Sequence, residues 1–403
     1  MSTNTIEFLN NIFISDNKPD VQAIGFTILF VVISSYLVYT KLVAKSSTNQ
    51  KGKQQSKQSK LYDKSKEYQP LNPTPLTDFK WDAEPPLKSY PFKNAEYKLT
   101  MGIRTLDPQD WLLVEPTYKS RIEAKQKIIT NSHPDYPADK DTRSSTLFVT
   151  PEATPAIIEF YEIVMKYLCD KYPTCFKRDG DTIHNLITDK TYPVTGTDPV
   201  KLQEYLVGNI EEDFIILLKD PTREDEENGT EYFFKGGIFA FAAGFNPRDR
   251  FNKPLSFVHG PIPGYEQKLK LSMNRFFNRL LPGQFVTRLN YSMQTHNKFY
   301  VDDANKGHNL PEGFVQEPLK YEDLDFENQV HYRSERQVLT KLPKSGAMVF
   351  TIRTYLLPLA EVKKEGREVC DRLIGAINGF PKDISQYKRA DEWGPAVIQY
   401  LSE

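Results

Sequence analysis

The sequence predicts an α+β fold: a largely antiparallel sheet with surrounding helices, preceded by one N-terminal transmembrane helix. Three observations carry that expectation. The chain holds 22 Tyr and 25 Phe, ring residues that favour pleated, half-buried surfaces. Short alternating runs broken by Gly- and Pro-containing turns recur through its second half, interleaved with apolar stripes at helical spacing. Finally, Val21 to Thr40 contains no charged residue, and a helix of about 20 residues spans a bilayer's hydrocarbon core.

The flanks of that apolar run set its expected role. The preceding segment carries Glu7, Asp16 and Asp20 against Lys18, so it lacks the basic start of a secretory signal. Residues 41–66 hold eight lysines and a single acid, Asp63. Lysine-rich flanks stay on the cytosolic side. Residues 21–44 are therefore expected to be a single-pass anchor in the endoplasmic reticulum or another internal membrane. The short segment 1–20 would face away from the cytosol and the C-terminal bulk towards it. Residues 45–78, rich in Lys, Gln and Ser, cannot build a core and read as a solvated linker.

From Phe79 the chain reads as one domain, 79–403. Thr154 to Tyr172 is expected to be a helix with Thr154 as its N-cap, Pro155 in the first turn and a stripe of Ile157, Ile158, Phe160, Tyr161, Val164, Met165 and Leu168. Phe214 to Leu218 is a short buried run, and the acids before it, Glu211 to Asp213, read as a loop or cap. Tyr232 to Phe234, a Lys235-Gly236-Gly237 turn and Ile238 to Phe241 read as a hairpin. Tyr265 to Leu281 is helical by its stripe of Leu269, Met273, Phe276, Phe277 and Leu280, and Phe285 to Met293 alternates as a strand. A second hairpin joins Val330–Leu342 to Ala347–Leu357, and a last helix runs from Glu361 to a Gly379 C-cap.

Composition removes several function classes. With 52 basic and 53 acidic residues, nothing marks a nucleic-acid partner. Cys169, Cys175 and Cys370 are an odd number with no C-x-x-C spacing, so neither a disulfide framework nor a zinc site is expected. The chain has no G-x-S-x-G, G-x-x-x-x-G-K-[ST] or H-E-x-x-H motif.

Three groups of residues could carry chemistry. His259 sits in F-V-H-G-P-I-P-G, where two prolines and two glycines stiffen the backbone. A rigid frame suits a metal ligand or an acid–base group, and equally an ordinary histidine satisfied by backbone groups. Arg336 and Arg353 interrupt apolar strands, so each wants a carboxylate, from this chain or from a ligand. In R-L-N-Y-S-M-Q-T-H (288–296), Arg288, Asn290, Ser292 and Gln294 share one strand face, either lining a polar pocket or facing solvent.

Several of these segments, in this order, resemble one family. They are F-K-W-D (79–82), M-G-I-R-T-L-D (101–107) with Trp111, and G-F-N-P-R-D-R-F-N-K-P-L-S-F-V-H-G-P-I-P-G-Y-E-Q-K-L (244–269). S-M-N-R-F-F (272–277) and R-S-E-R-Q-V-L-T-K-L-P-K-S-G-A-M-V-F-T-I-R-T-Y (333–355) follow. Together they resemble the haem-dependent oxidative N-demethylase alpha-subunit-like family. The resemblance implies a PAS-like core holding haem b and an O2-dependent demethylation of a secondary amine, fed with electrons by a separate flavin or iron–sulfur reductase. It implies His259 as axial iron ligand and Arg336 and Arg353 as partners of haem or active-site carboxylates. A haem- or small-ligand-binding PAS-like sensor or scaffold without turnover is the alternative. Family members often carry Asn-Trp where this chain has Asn290-Tyr291, a change in a pocket wall.

Overall fold

The large sheet is built from β1 (Arg104–Leu106), β2 (Leu147–Val149), β6 (Asp213–Lys219), β7 (Tyr232–Ile238), β8 (Phe285–Gln294), β9 (His331–Lys341) and β10 (Met348–Pro358). These seven strands hydrogen-bond in the order β1-β8-β9-β10-β6-β7-β2, with every pairing antiparallel. A smaller sheet of β3 (Phe176–Asp179), β4 (Thr182–Asn185) and β5 (Lys190–Pro193) stands apart from it. This computed structural model describes residues 70–311 and 313–403. The expected anchor at 21–44 and most of the linker lie outside the described residues. Among the described residues no helix is long and apolar enough to cross a membrane.

The hairpin of β9 and β10 forms as its alternation predicts, with Pro343 to Gly346 in the connection and Gly346 at φ 68°. The first expected hairpin does not form: β7 runs unbroken through Lys235-Gly236-Gly237. The glycines serve close packing in place of a turn. Gly237 has φ 136°, and a Cβ there would stand 2.1 Å from the Phe214 carbonyl oxygen. Beside it the ladder to β6 shifts register between Ile216 and Leu217, as at a bulge.

Helix α1 (Tyr118–Ile129) precedes α2 (Thr154–Lys171), and α3 (Pro199–Val207) follows the small sheet. Thr154 is the first residue of α2 and not its cap, because the short 3-10 turn Pro151–Ala153 leads straight into it. The predicted stripe is otherwise buried, except for the partly buried Ile158, and Phe160 meets Phe214 of β6 at 5.1 Å. Each such aliphatic or aromatic side chain contributes about 1.5–3 kcal/mol by leaving water.

Between β7 and β8 lie four short helices: α4 (Pro247–Arg250), α5 (Leu255–His259), α6 (Tyr265–Lys268) and α7 (Lys270–Arg279). The single helix expected from Tyr265 is thus broken at Leu269, although Leu269, Phe276, Phe277 and Leu280 are all buried. The C-terminal helix is likewise divided, into α8 (Leu359–Lys363) and α9 (Arg367–Asn378), by Gly366 at φ 101°. Gly379 caps α9 as expected. Helices α10 (Lys382–Lys388) and α11 (Ala390–Ser402) complete the chain. With Phe92 and Tyr332, residues of α9 and α11 such as Leu373, Trp393 and Val397 build a second hydrophobic cluster distinct from the one centred on α2.

Candidate functional site: a cationic recess beside His259

Register divides the polar strand residues between two faces. Arg353 pairs with Arg336, and Arg336 with Leu289. Thr351, two residues from Arg353, pairs with Phe214 under α2. Arg336 and Arg353 therefore leave the sheet on the α2 side, where protein groups already engage them. Arg336 donates to the carbonyl of Trp111 at 2.9 Å and to that of Asp110. Arg353 bonds Glu115, reaches Glu211 at 2.6 Å and Glu212 at 3.2 Å, and donates to the Leu113 carbonyl at 3.0 Å.

The acids Glu211 to Asp213 are accordingly not an exposed loop or cap. They are buried with Arg353, and Lys125 stands 3.3 Å from Asp213. Burial disfavours the Arg353 guanidinium, but the Glu211 and Glu212 carboxylates outweigh it and hold its pKa well above the usual range. This is a closed ionic cluster.

The opposite face carries Arg288, Asn290, Ser292 and Gln294 on β8, with Gln337, Glu335, Arg333 and His331 facing them on β9. Arg288 donates to Gln337 at 2.9 Å, while its buried Nε has no partner among the described residues. Glu335 accepts from Asn290 at 3.3 Å and from Gln337 at 2.9 Å, and Arg333 lies 3.6 Å away. Burial opposes ionisation of Glu335, but Arg333 and Lys306 hold its pKa below the ordinary value.

His259 ends α5 and is half-buried. Its Nδ1 lies 2.9 Å from the Leu255 carbonyl oxygen. A carbonyl only accepts, so Nδ1 carries the proton and Nε2 keeps its lone pair. The Tyr265 ring stacks on the imidazole at 5.2 Å and 16°. Burial lowers the His259 pKa first, and Arg288 and Arg250 push the same way from within electrostatic reach. The ring is thus neutral and oriented, and its Nε2 has no hydrogen-bond partner among the described residues, which is what a metal ligand needs.

A groove of about 520 Å³ opens beside this turn, lined by Pro261, Pro263, His308 and Tyr387 and by the carboxylates Asp383 and Asp391 among others. Lys306 and Lys388 adjoin lining residues in sequence and are each more than nine-tenths buried. The Lys306 ammonium lies 5.3 Å over the Tyr387 ring. Lys388 donates to the Tyr291 carbonyl at 2.8 Å, on the part of β8 that β1 leaves unpaired. Burial lowers Lys306 to about 8 and Lys388 to about 7, with Glu335 opposing both shifts. Neither lysine has a carboxylate within ion-pair distance among the described residues.

A partly buried imidazole whose Nε2 has no hydrogen-bond partner among the described residues, on a turn whose Pro261 and Pro263 line a groove, describes a site that could take a group needing a nitrogen ligand. The match to the family called haem-dependent oxidative N-demethylase, alpha subunit-like, extends over residues 102–398, most of the chain. The chain belongs to that family.

Sequence reasoning singled out His259 and set Arg288 and Asn290 on one strand face, lining a pocket or facing solvent. It favoured Arg336 and Arg353 over Arg288, and the structure does not bring those two to His259's side of the sheet. It missed Lys306 and Lys388, which lie in a loop and at a helix end with no motif around them.

Proposed function

We propose that this chain is a haem-binding oxidoreductase that removes a methyl group from a secondary amine, with His259 as the residue that would hold the iron. The observation that carries the reading is the His259 geometry: a proton fixed on Nδ1 by Leu255 and an Nε2 with no hydrogen-bond partner among the described residues. The residues present fit the cofactor. Haem brings two carboxylates, and the buried Nε of Arg288, without a partner among the described residues, would supply a donor for one of them. When bound, haem supplies dioxygen activation and one-electron chemistry.

The chain's own groups have separable tasks. Tyr265 and the Pro261–Gly264 frame hold the imidazole plane. Glu335, kept ionised and oriented by Asn290 and Gln337, offers a carboxylate to a protonated amine. The balanced reaction is R–NH–CH3 + O2 + 2 e⁻ + 2 H⁺ giving R–NH2, formaldehyde and water. A separate flavin or iron–sulfur reductase is the electron source, since the chain's three cysteines fall short of the thiolate set that an iron–sulfur cluster takes. The same proposal keeps residues 21–44 as a single-pass bilayer anchor with the domain on the cytosolic side.

The test is turnover. Haem-loaded full-length protein given a ferredoxin-type reductase system and N-methylated amines should consume one O2 per formaldehyde released. A protein that holds haem but releases no formaldehyde with any such amine is a sensor or scaffold, and the enzymatic reading falls.

A further inference from the structure

His259 takes its orientation from one peptide group, and that group has a second partner. The Leu255 carbonyl, which accepts the Nδ1 proton at 2.9 Å, and the Ser256 N–H belong to the same planar peptide unit. The Ser256 N–H donates to Oε2 of Glu231 at 2.7 Å. Oε1 of Glu231 accepts from the Ser256 hydroxyl at 2.6 Å and from Nδ2 of Asn274, on α7, at 2.8 Å. Glu231, Leu255 and Ser256 are each more than nine-tenths buried.

The start of α5 needs less than this. Pro254 offers it no side-chain cap, and a neutral Ser, Thr or Asn side chain would be enough to supply one. A carboxylate stands there instead, buried, with no cation within ion-pair distance among the described residues, and burying a carboxylate is costly. Its charge has a continuous path to the imidazole: carboxylate, Ser256 N–H, Leu255 carbonyl, Nδ1–H. Hydrogen bonds in series polarise one another, by about 10–30% per bond. The carboxylate at one end therefore strengthens the pull on the Nδ1 proton and enriches the lone pair on Nε2.

We propose that Glu231 is a positioning residue that acts on His259 through the Leu255–Ser256 peptide, fixing its tautomer and making Nε2 a stronger donor to a metal. The inference deepens the demethylase reading and rests on it for the identity of that metal. A more basic axial ligand favours ferric over ferrous iron, so Glu231 holds the potential low. Glu231→Gln separates charge from shape. The amide oxygen can take the Ser256 N–H, and the buried Oδ1 of Asn274, without a partner among the described residues, can turn to accept from the amide nitrogen.

Full-length protein is read twice to test this, with haem and without it. In haem-loaded protein, Glu231→Gln should raise the midpoint potential by about 59 mV or more, a tenfold change in the ferric–ferrous equilibrium. Ser256→Ala keeps both the N–H and the charge and should leave the potential in place. In haem-free protein carrying isotope-labelled histidine, the Nδ1–H resonance that vanishes in His259→Ala should move upfield in Glu231→Gln and stay put in Ser256→Ala. An unchanged potential or an unchanged resonance in Glu231→Gln overturns the proposal. So do equal shifts in Glu231→Gln and Ser256→Ala, which would mark nothing more than a loosened start of α5. If Glu231→Gln does not fold, the half-buried Asn274 decides. Asn274→Ala strips a donor from the carboxylate, so the resonance should move downfield and the potential fall; no change, or the reverse, overturns the proposal. Failure to load haem strikes the demethylase reading instead, while the resonance still reports on Glu231.

Discussion

The two faces of the large sheet treat buried charge in opposite ways. On the α2 side, Arg353 is surrounded by Glu115, Glu211 and Glu212 within hydrogen-bond range, and all four side chains are almost fully buried. On the other side, Lys306, Lys388 and Arg288 have no carboxylate within ion-pair distance among the described residues, and the buried Nε of Arg288 has no hydrogen-bond partner there. Both faces bury arginine or lysine, so burial alone does not mark a site. The distinction lies in neutralisation: a charge closed within the protein holds the fold, and a charge left open expects something from outside.

The largest effect should come from breaking the closed face. Arg353→Met leaves three buried carboxylates without their cation, at a cost of about 3–5 kcal/mol. Urea denaturation followed by tryptophan fluorescence should show the midpoint fall by that equivalent; a change below about 1 kcal/mol would mean the cluster is not closed after all.

On the open face the corresponding change should spare the fold and cost ligand. Arg288→Met removes the donor with the unpartnered Nε, and loss of a charge-assisted hydrogen bond of about 1.5–3 kcal/mol weakens haem binding by roughly 10- to 100-fold. Haem titration of the folded variant measures it, and unchanged affinity would remove Arg288 from the cofactor's carboxylates.

The smallest effect has the opposite sign. Lys306→Met should raise the melting temperature of ligand-free protein at pH 7, by about 2–4 °C for each kcal/mol of relieved burial. The pH dependence follows. Unfolded, Lys306 stays protonated up to its ordinary 10.5; folded, only to about 8, because burial and Arg333 outweigh Glu335. Between those values the unfolded chain binds more protons, so the stability of ligand-free protein climbs with pH. Lys306→Met should flatten that climb. A wild-type melting temperature that falls from pH 8 to 10, with the same slope in the variant, would show that Lys306 is not the group responsible.

How much of this was legible in the sequence depended on the range of the contact. Local patterns served well: the stripe of α2, the alternation of β8 to β10 and the stiff frame around His259 all involve neighbours a few residues apart. The glycines of β7 misled, because a Gly-Gly pair signals a turn locally and the bulge it accommodates is set by the distant Phe214. The choice among arginines failed for the same reason. Alternation correctly put Arg288 and Asn290 on one face, and Arg336 and Arg353 each on one side of their own strand. Only the cross-strand register tells which side α2 covers, and Glu115, which closes on Arg353, lies 238 residues away in sequence. Lys306 and Lys388 gave no local signal, since what they meet, Tyr387 and the Tyr291 carbonyl, lies 81 and 97 residues away in sequence.

Whether the open face binds haem through His259 is decided by one absorption spectrum. Full-length wild type and His259→Ala are each loaded with haem and recorded oxidised, then reduced with dithionite. Ligation by His259 gives a Soret band in the wild type that shifts on reduction. The band should be lost or displaced in a His259→Ala protein whose circular dichroism is unchanged. Identical haem spectra in the two proteins would contradict that ligation.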